Sequence, residues 1–168
     1  VIKLASLFKK KLLIASTSEI YGKNTNTPFS EDSDRLLGPT TIGRWSYSSS
    51  KAIDEFMALA YHKEFGLDVI IFRLFNTVGP RQTGRYGMVL PNFVSKALSN
   101  EKLIVHGTGT QSRCFCDVSD VVKGIFSLSE EESASGQIFN IGSMNEITIN
   151  DLALKVLQVV NKKRNIDI

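Results

Sequence analysis

Cysteine is nearly missing from this chain of 168 residues, which has only Cys114 and Cys116. One residue separates them, so on a strand both thiols point to the same face, and no second pair exists to build a disulfide framework. A reduced, cytoplasmic protein is expected. Histidine is as scarce, with only His62 and His106; neither stands at a zinc-site spacing, and no metal is expected. No apolar run approaches the ~20 residues of a membrane helix, and no small-residue cleavage site follows an apolar stretch near Val1, so no membrane partner is expected. The charges nearly balance, at 20 basic and 17 acidic residues. The clusters Lys9-Lys10-Lys11 and Lys162-Lys163-Arg164 are short and lack interleaved aromatics, which reads as solvated helix ends rather than a nucleic-acid surface. None of the twelve glycines precedes Gly22. No segment can therefore be the strand-turn-helix phosphate cradle that opens a dinucleotide-binding fold.

What is present suits one domain of ordinary size, with 42% hydrophobic residues to fill a core. Val1, Leu4 and Phe8 form a helical stripe, and the run Lys11 to Ala15 reads as a strand. A chain that opens in mid-helix is expected to be part of a longer one. From Gly22 to Trp45 the polar, Pro- and Gly-containing sequence predicts a long loop of the kind that flanks ligand pockets. Ser46 to Phe65 reads as a helix with Ile53, Phe56, Met57 and Ala60 on its buried stripe, closed by Gly66. Asp68 to Phe75 is almost wholly apolar, as a strand covered on both faces of a parallel sheet must be. After a loop from Asn76 to Gly87 come a helix from about Pro91 to Leu98 and strands over 103–105 and 113–116. The turn Gly107-Thr-Gly109-Thr110 between them predicts a hairpin rather than a nucleotide fingerprint, because it lacks a third glycine. Asp117 or Ser119 is placed to cap a helix through Phe126, and Gln137 to Ile141 forms one more strand. Thr148-Ile-Asn-Asp151 resembles a capping box that opens a final helix to about Val160.

Chemistry gathers around Tyr47-Ser-Ser-Ser-Lys51. Residues four apart share a helix face, so the Lys51 ammonium can approach the Tyr47 phenol. A free phenol has a pKa of about 10, leaving roughly one molecule in a thousand ionised at pH 7. Lowering that value to about 7 takes about 4 kcal/mol, and one cation at ~4 Å supplies as much at an effective dielectric near 20. The spacing alone is common. Support comes from the strand ends: in open α/β sheets ligands collect beyond the carboxyl ends, where Thr17, Ser18 and Glu19 follow one strand and Asn76 another. There the Thr17 hydroxyl can bond a substrate hydroxyl while Tyr47 takes its proton, leaving carbon to release hydride.

Read in order, Ala15-Ser-Thr-Ser-Glu-Ile-Tyr-Gly22, Tyr47-x-x-x-Lys51, Arg73-Leu-Phe-Asn-Thr-Val-Gly-Pro-Arg81, Val89-Leu-Pro-Asn92, Gly107-Thr-Gly-Thr-Gln-Ser-Arg113 and Phe139-Asn-Ile-Gly142 span nearly the whole chain. Together they resemble the extended short-chain dehydrogenase/reductases that act on nucleotide sugars, a family of epimerases, 4,6-dehydratases and glucuronate decarboxylases. The resemblance implies an α/β fold: the C-terminal part of a Rossmann-like doubly wound parallel sheet (residues 1–80), plus a small α/β substrate-binding subdomain (mostly 81–168, with some segments returning to the sheet). It implies NAD as cofactor, a UDP-sugar as substrate and a homodimer at full length. Thr17, Ser18, Glu19, Tyr47 and Lys51 would form the catalytic group, with Tyr47, Lys51 and Phe75 beside the cofactor. Thr17, Asn76, Arg81, Arg85, Val89, Leu90 and Arg113 would hold the substrate, the guanidinium forks suiting phosphate oxygens.

All reactions of this family begin with oxidation to a 4-keto sugar, so their second steps must discriminate. The dehydratase pattern has Asp-Glu where this chain has Ser18-Glu19, which argues against water elimination. Ser18-Glu19 and Arg113 resemble the decarboxylase pattern. The Arg44-Trp-Ser-Tyr47 approach and Gly79-Pro-Arg81 resemble the epimerases. The expectation is a 4-epimerase acting on UDP-glucose or UDP-glucuronate, with UDP-glucuronate decarboxylase as the alternative. A non-catalytic nucleotide-binding or assembly module is the alternative of another class. Lacking the phosphate cradle, these 168 residues are expected to be inactive on their own.

Overall fold

The computed structural model describes residues 1–84 and 88–160, and the backbone of 166–167. In chain order the elements are α1 (Ile2–Leu7), β1 (Leu12–Thr17), α2 (Arg44–Phe65), β2 (Val69–Leu74), β3 (Thr77–Val78), α3 (Val89–Leu98), β4 (Leu103–Ile104), β5 (Ser112–Cys114), β6 (Cys116–Asp117), α4 (Val118–Glu130), β7 (Ile138–Ile141), β8 (Glu146–Thr148), α5 (Ile149–Val159) and β9 (Ile166–Asp167). Short 3₁₀ turns occupy Ser18–Tyr21 and Glu132–Ala134. The chain divides into two units, one of Val1–Phe75 with Ser119–Gly142, the other of Asn76–Val118 with Ser143–Ile168.

The first unit is a parallel sheet in the order β1-β2-β7. Central β2 is apolar for the reason the sequence suggests: Val69, Ile70, Ile71 and Phe72 are buried, and helices cover both faces. On one face Val69 and Ile71 pack with Ala58 of α2 and with Ile2 and Ala5 of α1. On the other, Ile70 and Phe72 pack with Ala134 and with Ile125 and Leu128 of α4. Strand pairing places Ser16 beside Arg73 and Arg73 beside Asn140, so three polar residues form one row across the sheet near its carboxyl end.

Helix α2 departs from the expected stripe. Ile53 and Phe56 are 57% and 65% exposed and Met57 is exposed too, while Ser48, Ala52, Glu55 and Ala58 are buried. The small side chains let the helix approach the sheet closely, and Glu55 finds an ion partner there, so the more apolar stripe turns outward. The helix ends on Gly66 in the left-handed conformation at φ 65°, as its sequence predicts.

In the second unit, α3 and α5 enclose a core of Phe93, Ala97, Leu103, Val105, Leu152, Ala153, Val156 and neighbours. Pro91 falls in the first turn of α3, where the missing N–H is no loss. Thr148 caps α5, its Oγ1 accepting the Asp151 N–H at 3.0 Å and donating to the Asp151 carboxylate at 2.6 Å. The hairpin predicted at Gly107–Thr110 does not form. Strand β4 pairs in parallel with β9, and β5 pairs antiparallel with β8. Gly109, at φ 71°, instead passes so close to Asn150 that a Cβ there would collide with its side chain, and its carbonyl accepts the Asn150 N–H at 3.1 Å. The two cysteines also part company, since Cys114 belongs to β5 and Cys116 to β6, which pairs with β3.

Candidate functional site

Tyr47 and Lys51 lie in the first turns of α2, and Thr17 ends β1. The Thr17 hydroxyl accepts the Glu19 N–H at 3.2 Å and so caps the turn Ser18–Tyr21. That bond uses a lone pair, and the hydroxyl proton stays available to a ligand. Tyr47 is 54% exposed, and among the described residues its phenol makes no hydrogen bond. Lys51 Nζ donates to Asp54 Oδ2 at 3.0 Å rather than to the phenol. With the Asp54 side chain half-exposed, such an ion pair holds the ammonium by no more than about 1 kcal/mol. Glu19 meets Arg44 at 3.4 Å, both well exposed. Lys51, Asp54 and Met57 also border an open trough of about 640 Å³ along Leu12–Ala15 of β1.

Directly behind Thr17 lies a network that the sequence reading did not anticipate. Arg73 Nη2 and Nε donate to the two carboxylate oxygens of Glu55 at 2.8 and 3.1 Å. Ser16 Oγ donates to the same carboxylate. Arg73 Nη1 donates to the Tyr21 hydroxyl at 2.9 Å and to the Glu31 carbonyl at 2.7 Å. Tyr21 in turn donates to Asn140 Oδ1 at 2.7 Å, and the Asn140 N–H donates to the Glu31 carboxylate at 2.7 Å. Burial by itself lowers the basicity of the guanidinium, but the hydrogen bonds and charge of Glu55 and Tyr21 outweigh it and raise it above its ordinary value. The network also ties down the long loop after Gly22: the Phe29 ring stacks on Tyr21 at 4.5 Å, and Phe75 lies 6.2 Å from Tyr21. The one sequence signal for it was a charge inside the apolar run of β2, matched by a carboxylate one turn beyond Lys51.

The expected nucleotide contacts fall in the second unit. Asn76 Nδ2 donates to the Cys114 carbonyl at 2.9 Å. Asn76, Val89 and Leu90 border one small cavity of about 90 Å³, with Gln82 and Phe115. Arg81 has a left-handed backbone at φ 66°, a conformation that costs a non-glycine residue about 1–2 kcal/mol and gathers at functional sites. Arg113 is exposed on β5, with Nη1 donating to the neighbouring Ser112 carbonyl at 2.9 Å. Arg85 lies outside the described residues, as does the cluster Lys162-Lys163-Arg164. Burial pushes the Cys114 thiol up, and Glu146 adds to the shift, so it is no activated nucleophile. Among the described residues no group of His, Cys, Asp and Glu is placed to hold a metal, and no helix is long and apolar enough to cross a membrane.

The sequence pattern of the NAD-dependent epimerase/dehydratase family matches residues 1–142. The chain belongs to that family. A UDP-N-acetyl-alpha-D-glucosaminuronate decarboxylase of Bacillus cytotoxicus is 45% identical over 159 residues, which cover 94% of this chain and 49% of that protein. Among solved structures, a dTDP-glucose 4,6-dehydratase of Bacillus anthracis in complex with NAD superposes with a TM-score of 0.86 at 30% identity, over 99% of this chain and 52% of that one. A UDP-N-acetylglucosamine 4-epimerase of Methanobrevibacter ruminantium in complex with UDP-N-acetylmuramic acid superposes with a TM-score of 0.85 at 30% identity, over 95% and 50% of the two chains. The chain thus spans about half the length of the curated relatives it matches. The α/β fold with its parallel sheet is that of the Rossmann-type members of this epimerase/dehydratase family, and NAD is their cofactor. The residues present fit the reactive end of that cofactor: a half-exposed phenol with no hydrogen bond among the described residues, and a lysine one turn away.

Proposed function

We propose that the full-length protein is an NAD-dependent decarboxylase of a UDP-uronate, in which these residues form the catalytic group and the sugar-nucleotide contacts. The carrying observation is the 45% identity over almost the whole chain to a UDP-uronate decarboxylase, against 30% to the epimerase and the dehydratase. Ser18-Glu19 after β1 agrees with it. The epimerase expectation thereby gives way to its alternative.

The residues suggest a sequence of steps. Thr17 donates its free proton to the sugar hydroxyl at carbon 4 and fixes its direction, while the Tyr47 phenolate accepts the proton of that hydroxyl. Lys51 exchanges Asp54 for the phenolate and favours its charged form. Bound NAD supplies the hydride acceptor for carbon 4 and afterwards the donor. With a carbonyl at carbon 4, the carboxylate on carbon 5 belongs to a β-keto acid. The bond between carbons 5 and 6 then breaks, carbon dioxide leaves, and the electron pair forms an enolate at the carbon 4 oxygen. Tyr47, now protonated, stabilises that oxygen by hydrogen bonding. A solvent-derived proton on carbon 5, return of hydride to carbon 4 and return of the Tyr47 proton to the carbon 4 oxygen give the pentose, with no net change in the cofactor. Asn76, Val89, Leu90, Arg81, Arg85 and Arg113 are assigned to the nucleotide diphosphate. A homodimer of the full-length protein is part of this reading, checked by light scattering.

The test is incubation of full-length protein with NAD and UDP-glucuronate or its N-acetylglucosamine counterpart, labelled with carbon-13 at the carboxyl group. Labelled carbon dioxide and a UDP-pentose are expected by NMR. A 4-epimer that keeps its carboxylate would restore the epimerase, and no product from either sugar would favour a non-catalytic module.

A further inference from the structure

Helix α2 turns its more apolar stripe outward and buries a carboxylate. Ile53 and Phe56 are 57% and 65% exposed, whereas Glu55 is 4% exposed and its partner Arg73 6%. The face turned to the sheet is built from Ser48, Ala52 and Ala58 around that carboxylate. A buried ion pair is a weak source of net stability, because desolvation offsets the attraction, and apolar replacements of similar volume are often neutral. Its geometric content is large by comparison. Both carboxylate oxygens of Glu55 are held by the two-pronged guanidinium, and one of them also accepts from Ser16, the residue before Thr17. Glu55 lies one helical turn beyond Lys51 and two beyond Tyr47, on the same stripe and about 12 Å along the axis from the phenol-bearing residue.

We propose that the Glu55–Arg73–Ser16 network is a positioning device that fixes the rotation and axial register of α2 against the end of β1, and so the placement of Tyr47 relative to Thr17. This rests on the reading of Tyr47 and Thr17 as the proton-handling pair. None of the three network residues touches substrate in this scheme; they act through the elements that carry the pair. Apolar packing is non-directional and specifies register through shape alone, whereas a bidentate pair with a third donor also fixes distance and angle. Displacement of a catalytic group by ~1 Å is enough to lose about 100-fold in rate.

The test uses the full-length protein and two variants. Glu55→Leu/Arg73→Met removes both charges together and keeps the volume, so the fold is expected to survive, as judged by circular dichroism and thermal midpoint. Glu55→Gln keeps the shape and removes one charge, should the double variant fail to fold. Crystal structures are expected to show Tyr47 and Thr17 displaced relative to each other by ~1 Å, with kcat lowered about 100-fold and KM for the UDP-uronate nearly unchanged. An unmoved Tyr47–Thr17 pair, or an undiminished kcat in a folded variant, overturns the proposal. The crystallographic comparison needs no turnover. It decides the positioning role even where wild-type protein leaves UDP-uronates untouched, an outcome that counts against the functional reading alone.

Discussion

On the side of the sheet that α4 covers, Ile70 and Phe72 of β2 pack on Ile125, Leu128 and Ala134; on the α2 side the same strand buries the charge of Arg73 against Glu55. The apolar side draws its stability from area removed from water and tolerates exchange among side chains of similar volume. The Arg73–Glu55 pair contributes little net energy and much direction. The α2 side is also the one whose helix carries Tyr47 and Lys51. Both faces of the strand carry apolar packing, with Val69 and Ile71 against Ala58 on the α2 side, and the α2 side adds the directional pair.

Mutations can break that comparison. Arg73→Ala strands the Glu55 carboxylate in the interior and is expected to cost about 3–5 kcal/mol in urea unfolding, whereas Glu55→Leu/Arg73→Met leaves no stranded charge and should cost less, about 1–3 kcal/mol for the Tyr21, Glu31 and Ser16 groups that lose their partners. Equal losses from the two would contradict a directional role. Ile70→Ala, on the apolar face and fully buried, is expected to cost about 3 kcal/mol through lost transfer energy and the cavity left behind. It should leave kcat of the full-length enzyme nearly unchanged, which sets it apart from the ionic face. Tyr21→Phe removes the hydroxyl between Arg73 and Asn140, and about 1–3 kcal/mol is expected from the unsatisfied partners. Faster hydrogen exchange in the loop around Glu31 should accompany it. Lys11→Ala breaks the partly exposed ion pair with Asp68 at 3.7 Å and the hydrogen bond from its ammonium to the Ser129 carbonyl at 2.7 Å, and a loss of about 1 kcal/mol is expected.

The same contrast explains what the sequence made legible. The apolar run of β2 announced a doubly covered parallel strand because burial on both faces leaves no room for alternation. Local chemistry was equally readable where a cap or a turn decides the backbone, as at Gly66 and Thr148. The rotation of α2 was not: counting apolar residues favoured Ile53 and Phe56, whereas the close approach of Ser48, Ala52 and Ala58 to the sheet and the remote pairing of Glu55 with Arg73 select the face that is buried. The hairpin at Gly107–Thr110 failed likewise, since the strands on either side pair with β9 and β8, distant in sequence. Tyr47, Lys51 and Thr17 were readable as candidates from their spacing and strand-end placement. The network behind them was not, because each of its members is an unremarkable polar residue until the sheet register lines up Ser16, Arg73 and Asn140.

Single-turnover reduction of NAD by full-length protein mixed with UDP-glucuronate, read from NADH absorbance in wild type and Tyr47→Phe, is the most direct test of the Tyr47 phenol as the base at carbon 4. A loss of about 100- to 10,000-fold in the rate of the first oxidation is predicted, the usual contribution of a positioned general base. An unchanged rate would contradict the account.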